Sequence, residues 1–359
     1  MNENYLLHNE TAKKLYFEYV KDLPIIFLNK KILLNKTYNN VAEAFLLNDR
    51  YKLEAMYDCG VDKKFIWGDA SDYEKFKEFC KMLPNFIIHP IYLTSHIELQ
   101  KNFACDLDIN EENCDKIWEQ CNEFIFKNQL SLIDILNNSN IVSVKCAPLT
   151  DIVDYALCRQ DVETFEDYEA MILDSLKIAN ENGCKNMYVR FEKEFVKPNP
   201  YAAKEVFIKM NNSPQLLSKQ DHLMFRIQTL RTVGVLCKQM NWTWLIESNG
   251  ECRDTLDYLE KNNALPKLTS FFEYELCSGE KELVMKIEEC SKKHPLGKIT
   301  CSVDAANLTS AYARNDYFRR VICNMFARLI DDEEYTSNEK FIRTIIENIS
   351  YYNLKEAIS

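Results

Sequence analysis

The spacing of apolar positions changes character along this chain, and the changes mark its organisation. A helix fits Thr11 to Val20, with Leu15, Phe17 and Val20 among its apolar positions. The apolar run Pro24 to Leu28 is short, bounded by proline, and reads as a buried strand. From about Leu33 to Asn138 the pattern is helical only. Ser71, followed three residues on by Glu74, is a capping-box signature. Asn110 is expected to cap a helix in which Cys114, Ile117, Trp118, Cys121 and Ile125 form one apolar stripe, which places Trp118 in the core.

Beyond Asn138 strands and helices alternate. The strands are expected at Asn140 to Cys146, Lys185 to Phe191, Trp242 to Glu247, Leu268 to Tyr274 and Lys298 to Asp304. Helical patterns cover Phe165 to Asn182, ending at Gly183, and Lys219 to Met240 behind Ser218. They also cover Arg253 to Asn262 and Glu280 to Lys293. Alternation of this kind argues for parallel βα units, and short apolar strands buried on both faces suit a barrel. With the early strand this gives six strands, where a closed (β/α) barrel needs eight. The expected fold class is therefore α/β, a TIM-barrel-like (β/α) barrel that is incomplete or distorted, with an N-terminal helical insertion. The divisions are 1–32 (first helix and first barrel strand), 33–138 (helical insertion) and 139–359 (the remaining βα units and C-terminal helices). If the barrel does close, its missing strands are expected at Ile87 to Leu93 and around Tyr201 to Ile208.

Composition narrows the function classes. A chain of 359 residues with 47% apolar residues builds a large core and suits one barrel with an insertion. A net charge of −11 disfavours nucleic acid, whose phosphates need a positive field. No apolar run reaches the ~18 residues of a membrane span, and the N-terminal MNENYLLHNETAKK has no signal core, so the expectation is a cytoplasmic protein with no membrane partner. The 14 cysteines include no C-x-x-C pair. Cys105, Cys114 and Cys121 fit helix packing better than a zinc site, which leaves reduced thiols as the default. The scarcity of glycine, seven residues, has two readings: lost ligand-binding loops, or a genome biased to Lys, Asn and Ile codons. No Ser-His-Asp order, P-loop or Gly-rich dinucleotide turn is present.

Several segments carry a family resemblance. They are LPIIFLNKKI (Leu23 to Ile32), NDRYKLEAMYDCGV (Asn48 to Val61), GDASDYEKF (Gly68 to Phe76), HPIYLTSHIELQKNF (His89 to Phe103), GCKNMYVRF (Gly183 to Phe191) and NWTWLIESNGECRD (Asn241 to Asp254). The set closes with RNDYFRRVICN (Arg314 to Asn324) and ISYYNLKEAI (Ile349 to Ile358). With these the chain resembles the uronate isomerase family, metal-assisted TIM barrels of sugar-acid catabolism. The resemblance implies aldose–ketose isomerisation of glucuronate to fructuronate, or of galacturonate to tagaturonate. Its alternative is a catalytically inactive relative that binds a sugar acid or a partner protein. A homo-oligomer or an active paralogue is the protein partner the resemblance suggests.

Isomerisation moves a proton between neighbouring carbons, so a base must take it and the developing oxyanion must be stabilised. In the family the first strand ends D-Y-H-C-H, and its two histidines bind a divalent metal. Here Asn29 and Lys31 stand at those positions. Asn is a poor zinc ligand and a protonated Lys repels the ion, so neither metal nor other cofactor is expected. The family's G-C-R-x-x-D-H becomes GCKNMYV, with Tyr188 and Val189 in place of the acid and the histidine. Its M-Q-L-H-I-G strand end becomes WLIESNG, with Glu247 at the histidine. The family's F-R-P-D strand has no counterpart, and its final T-D-S-R strand is compressed, with Asp304 as the candidate aspartate. The family's D-H-Y-K-W becomes Asp49, Arg50, Tyr51, Lys52 and Leu53, with Tyr51 retained and Arg50 in place of the histidine. An active site would take Glu247 or Asp304 as base and Tyr51 as acid, with Lys31 supplying the positive charge. Lys31, Arg50 and Lys52 are the candidates to hold the sugar carboxylate, Arg through a bidentate fork. The plainer reading of Arg50 and Lys52 is a solvated helix start. His96 also matches the family but sits among apolar residues, where a satisfied core histidine is expected.

Overall fold

The computed structural model describes residues 3–29, 37–159, 161–247, 253–274, 279–292, 295, 297, 299–303, 308–333 and 338–358. Its strands are β1 (Ile25–Asn29), β2 (Ile141–Pro148), β3 (Asn186–Val189), β4 (Thr243–Glu247), β5 (Lys267–Tyr274) and β6 (Thr300–Val303). The early helices are α1 (Glu10–Leu15), α2 (Val41–Phe45), α3 (Arg50–Asp58), α4 (Asp72–Met82), α5 (Pro90–Phe103), α6 (Cys114–Asn128) and α7 (Leu132–Asn138). Then come α8 (Leu149–Leu157), α9 (Phe165–Glu181), α10 (Pro200–Asn212), α11 (Lys219–Gln239) and α12 (Arg253–Lys261). The last are α13 (Glu280–Ser291), α14 (Leu308–Asp331), α15 (Glu339–Glu347) and α16 (Asn353–Ile358). Among the described residues no helix is long and apolar enough to cross a membrane.

The six strands lie in one sheet in the order β1-β2-β3-β4-β5-β6, and the pairs β2–β3, β3–β4 and β4–β5 are parallel. Sequential order with helices between strands is the winding of a (β/α) barrel, here with six strands among the described residues. Backbone packing separates two compact units. One comprises Met1–Phe27, Lys31–Ser143 and Glu273–Leu354; the other comprises Leu28–Lys30, Val144–Phe272 and Lys355–Ser359.

The described part of 33–138 carries the helices α2 to α7, as the spacing predicts. Asn9 accepts the Ala12 N–H and starts α1, which runs on as a wider turn from Tyr16 to Val20. Ser71 and Glu74 close the capping box of α4. The cap assigned to Asn110 is corrected: its Oδ1 accepts the Asn113 N–H at 2.9 Å and closes the turn before α6, which begins at Cys114. Cys114, Ile117, Cys121 and Ile125 are buried, while Trp118 is half-buried, with its ring 5.2 Å from that of Tyr73 and 5.6 Å from that of Phe76. Ile87 to Leu93 supplies no strand, because His89 caps α5 through its Nδ1 and Pro90 occupies the first helical position.

In the second unit Cys146 of β2 faces Asn186 of β3, and Glu247 of β4 faces Phe271 of β5. Met187, Val189, Trp244 and Ile246 are buried and meet Phe165, Tyr168, Phe207 and Phe225 from the helices. Two helices, α8 and α9, occupy the stretch between Cys146 and Gly183, where the sequence showed one. Tyr201 to Ile208 is also helix and not strand. Asn199 caps α10 ahead of Pro200, and Ala203, Val206 and Phe207 are buried at helical spacing.

Candidate functional site

Asp49 places the retained site residues. It is the N-cap of α3, and its Oδ1 accepts the N–H groups of Tyr51 and Lys52 at 3.1 and 3.3 Å. Arg50, Tyr51 and Lys52 therefore fill the first turn, where successive side chains diverge. Tyr51 is buried, and its hydroxyl accepts a hydrogen bond from Arg50 Nη2 at 3.0 Å. The guanidinium carbons of Arg50 and Arg314 each lie 4.7 Å from the centre of the Tyr51 ring. Arg50 keeps 56% of its side chain exposed and lies 3.7 Å from Glu54.

Lys52 points the other way. It is 1% exposed, and its ammonium donates to Glu98 Oε2 at 2.6 Å and to the Phe45 carbonyl at 2.7 Å, with Asp49 Oδ2 at 3.6 Å. Its proposed place among the carboxylate-holding cations is corrected, because its donors face buried acceptors. The plainer solvated reading fails for Lys52 for the same reason. Burial pushes the Asp49 carboxyl up, but Arg314 and Lys52 beside it hold it below its ordinary value. Burial raises Glu98, and the ion pair with Lys52 opposes that rise only in part.

Glu247 ends β4, and its backbone is in register with Phe271. Lys31 and Asp304 lie outside the described residues, as does the side chain of Glu247. The structure thus brings Arg50 and Tyr51 together and sets Lys52 apart. His96 is half-buried and satisfied: its Nδ1 meets the Tyr92 carbonyl at 2.8 Å and its Nε2 accepts the Ile109 N–H at 3.0 Å. Burial lowers its pKa, which favours this neutral form.

Sequence reasoning missed the role of RNDYFRR. In α14, the buried Arg314 donates through Nη2 to both oxygens of Asp49, at 2.7 and 2.6 Å. Arg319 donates to the carbonyls of Val20, Leu23 and Pro24 at 2.8–2.9 Å. Arg320 donates to the carbonyls of Glu3 and Tyr5 and pairs with Asp316. The motif is a set of internal clamps on the N-terminal segment and on α3. Three arginines within seven residues of a helix rich in apolar residues were the available signal. Elsewhere in the first unit, a cavity of about 660 Å³ is lined by His8, Glu280, Asn324 and Arg328 among others, and by none of the residues singled out for catalysis or binding.

The donor set does not fit a divalent ion of the kind the family resemblance implies. On the resemblance, Asn29 and Lys31 stand for the first-strand ligands and Tyr188 and Val189 for those of β3, and none of the four is a histidine or a carboxylate. Among the described residues no three His, Cys, Asp or Glu side chains converge as such an ion requires.

Comparison with known proteins places the chain. The uronate isomerase of Caldicellulosiruptor bescii is 26% identical over 460 aligned positions, which cover 99% of this chain and 98% of that one. With 359 residues here, many of those positions are gaps. The uronate isomerase of Oceanobacillus iheyensis is 36% identical over 182 residues, 49% of this chain and 38% of that one. Among solved structures, a uronate isomerase from Thermotoga maritima superposes with a TM-score of 0.83 at 19% identity, covering 100% of this chain and 99% of that one. A glucuronate isomerase from Caulobacter crescentus gives 0.82 at 14% identity, covering 100% and 96%. The sequence profile of the glucuronate isomerase family matches residues 1–156 and 286–357, leaving out the stretch that carries β3, β4 and β5. The chain belongs to the glucuronate isomerase family.

Proposed function

We propose that this chain binds a hexuronate at the first turn of α3, and that the reaction this binding serves is aldose-to-ketose isomerisation, glucuronate to fructuronate or galacturonate to tagaturonate. One observation carries the reading. Arg50 and Tyr51 stand as a hydrogen-bonded pair, with the tyrosine buried and the arginine half open to solvent. A half-open guanidinium attracts a carboxylate at short range, which a chain of net charge −11 needs for an anionic ligand. The relatives above are uronate isomerases by name. In this reading Arg50 and Lys31 hold the carboxylate, Tyr51 serves a sugar oxygen as acid, and Glu247 or Asp304 takes the proton from carbon. Lys52 is left out.

A second reading, binding without turnover, is favoured by the donor set. Asn29 and Lys31 offer no replacement for histidine ligands, and Tyr188 and Val189 extend the loss to β3. A coupled assay with glucuronate and galacturonate, with and without zinc or manganese, decides between the two when run beside calorimetric titration. Turnover supports the isomerase. Binding with no turnover in any condition supports the second reading. No binding at millimolar sugar acid defeats both.

A further inference from the structure

We infer that Arg314 is a positioning residue for Tyr51 in hexuronate binding, and not only a clamp on α3. The inference rests on the reading that the first turn of α3 holds the sugar acid. Tyr51 carries a guanidinium against its ring from two sources, Arg50 and Arg314, each 4.7 Å from the ring centre. The two differ in what holds them. Arg50 is more than half exposed and sits on the same helix turn. Arg314 is 1% exposed and comes from α14, 263 positions further along the chain.

Arg314 is itself fixed. Its Nη2 contacts both oxygens of Asp49, and that carboxylate also receives the Tyr51 N–H. One buried carboxylate therefore sets the backbone of Tyr51 while its guanidinium partner sets the ring. An aromatic side chain has two torsions, and a charged plane against its face restricts both. The phenol oxygen is then delivered at a set distance from Arg50. A sugar carboxylate on Arg50 would meet the Tyr51 hydroxyl in one geometry, and loosening Arg314 would spread that geometry without removing either group. Lysine at 314 keeps the charge opposite Asp49 but has no plane to lay on the ring.

Wild type, Arg314→Lys, Tyr51→Phe and the double variant are titrated with glucuronate and with galacturonate by calorimetry, and the thermal midpoint of each is recorded. Arg314→Lys is expected to weaken binding of the preferred sugar acid about 10-fold, and to weaken it much less when Tyr51 is already Phe. A purely structural Arg314 would lower the midpoint and leave the affinity of the folded protein unchanged, and that result overturns the inference. So does a loss that adds fully to that of Tyr51→Phe. Should Arg314→Lys not fold, Asp49→Glu displaces the same guanidinium and is taken through the same cycle, with the same two results counting against. Absence of binding by the wild type defeats the underlying reading, and the inference falls with it. Binding that is sensitive to Tyr51→Phe but not to Arg314→Lys defeats the inference alone.

Discussion

The ammonium of Lys52 lies 2.6 Å from a carboxylate oxygen of Glu98, and both side chains are shut off from solvent. Thr309 donates its hydroxyl to the other oxygen of Glu98 at 2.5 Å. A position that reads in sequence as a ligand-holding cation is therefore half of an internal ion pair. Removing one member of a buried pair leaves the other uncompensated, a loss of about 3–5 kcal/mol, whereas replacing both by apolar groups is often neutral. Lys52→Met is expected to lower the unfolding free energy in urea by that amount, and adding Glu98→Leu is expected to recover a large part of it. Unchanged stability in Lys52→Met would show that the pair contributes nothing and would reopen Lys52 as a ligand-holding residue.

Tyr16 predicts behaviour at the alkaline end. Burial pushes its phenol up from 10.0 to about 12, and its hydroxyl donates to Asp316. The folded state thus keeps a proton that the unfolded chain releases. The stabilisation is complete below pH 10 and is lost as pH rises to 12, at about 1.4 kcal/mol per pH unit. Burial draws Arg319 down to about 10, which gives the opposite slope in the same window. Comparing wild type with Tyr16→Phe isolates the tyrosine. The variant's stability is expected to fall less steeply with pH from 10 to 12, and parallel curves would refute the assignment.

At Gly234 two effects compete. Alanine favours a helix interior over glycine by about 1 kcal/mol. Yet a Cβ on Gly234 of α11 would sit 1.9 Å from the Ala264 carbonyl oxygen and 3.2 Å from the Trp244 ring. The oxygen belongs to backbone, so the chain itself would have to shift, and overpacking of this kind costs about 1–3 kcal/mol. The clash is expected to win, with Gly234→Ala losing stability in thermal unfolding. A raised midpoint would mean the helix and the Ala264 turn separate freely.

Local order was legible where one residue or one period decides it. Ser71 with Glu74 and Ser218 with Asp221 are capping boxes in the structure. Trp242 to Glu247 contains β4 because five successive residues favour one buried strand. The helix α8 was missed although Leu149, Ile152 and Ala156 have helical spacing, because its nine residues directly follow a strand and a proline. Partnership between distant residues was not legible. Nothing local announces that Arg314 meets Asp49, or that Lys52 turns inward while Arg50 turns outward. A helix start with three charged residues looks solvated until the facing helix is known. RNDYFRR, one of the segments that carry the family resemblance, proves to hold backbone in the fold.

Arg319 gives the sharpest test of that last point. It is 3% exposed, and its guanidinium donates to the carbonyls of Val20, Leu23 and Pro24, at the end of the wider turn after α1 and just before β1. Three backbone acceptors in the segment leading into the first strand take a hydrogen bond from one side chain, and one of them, the Val20 carbonyl, also accepts the Leu23 N–H at 3.2 Å. Each buried carbonyl left unsatisfied costs about 1–3 kcal/mol. Arg319→Leu keeps the apolar stem but no donor, so its loss is expected at the upper end of what one substitution does, above about 4 kcal/mol. Arg319→Lys retains a charge without the planar fork and should lose less. A local readout separates anchoring from general damage. The Ile25 N–H, which donates to the Asn140 carbonyl at 3.0 Å as β1 begins, should exchange with solvent sooner in Arg319→Lys than in wild type. Amides of α6, which Arg319 does not touch, should keep their wild-type protection. Equal exchange at Ile25, with stability intact in both variants, would show that β1 is set in place by its own burial and that the arginine is incidental.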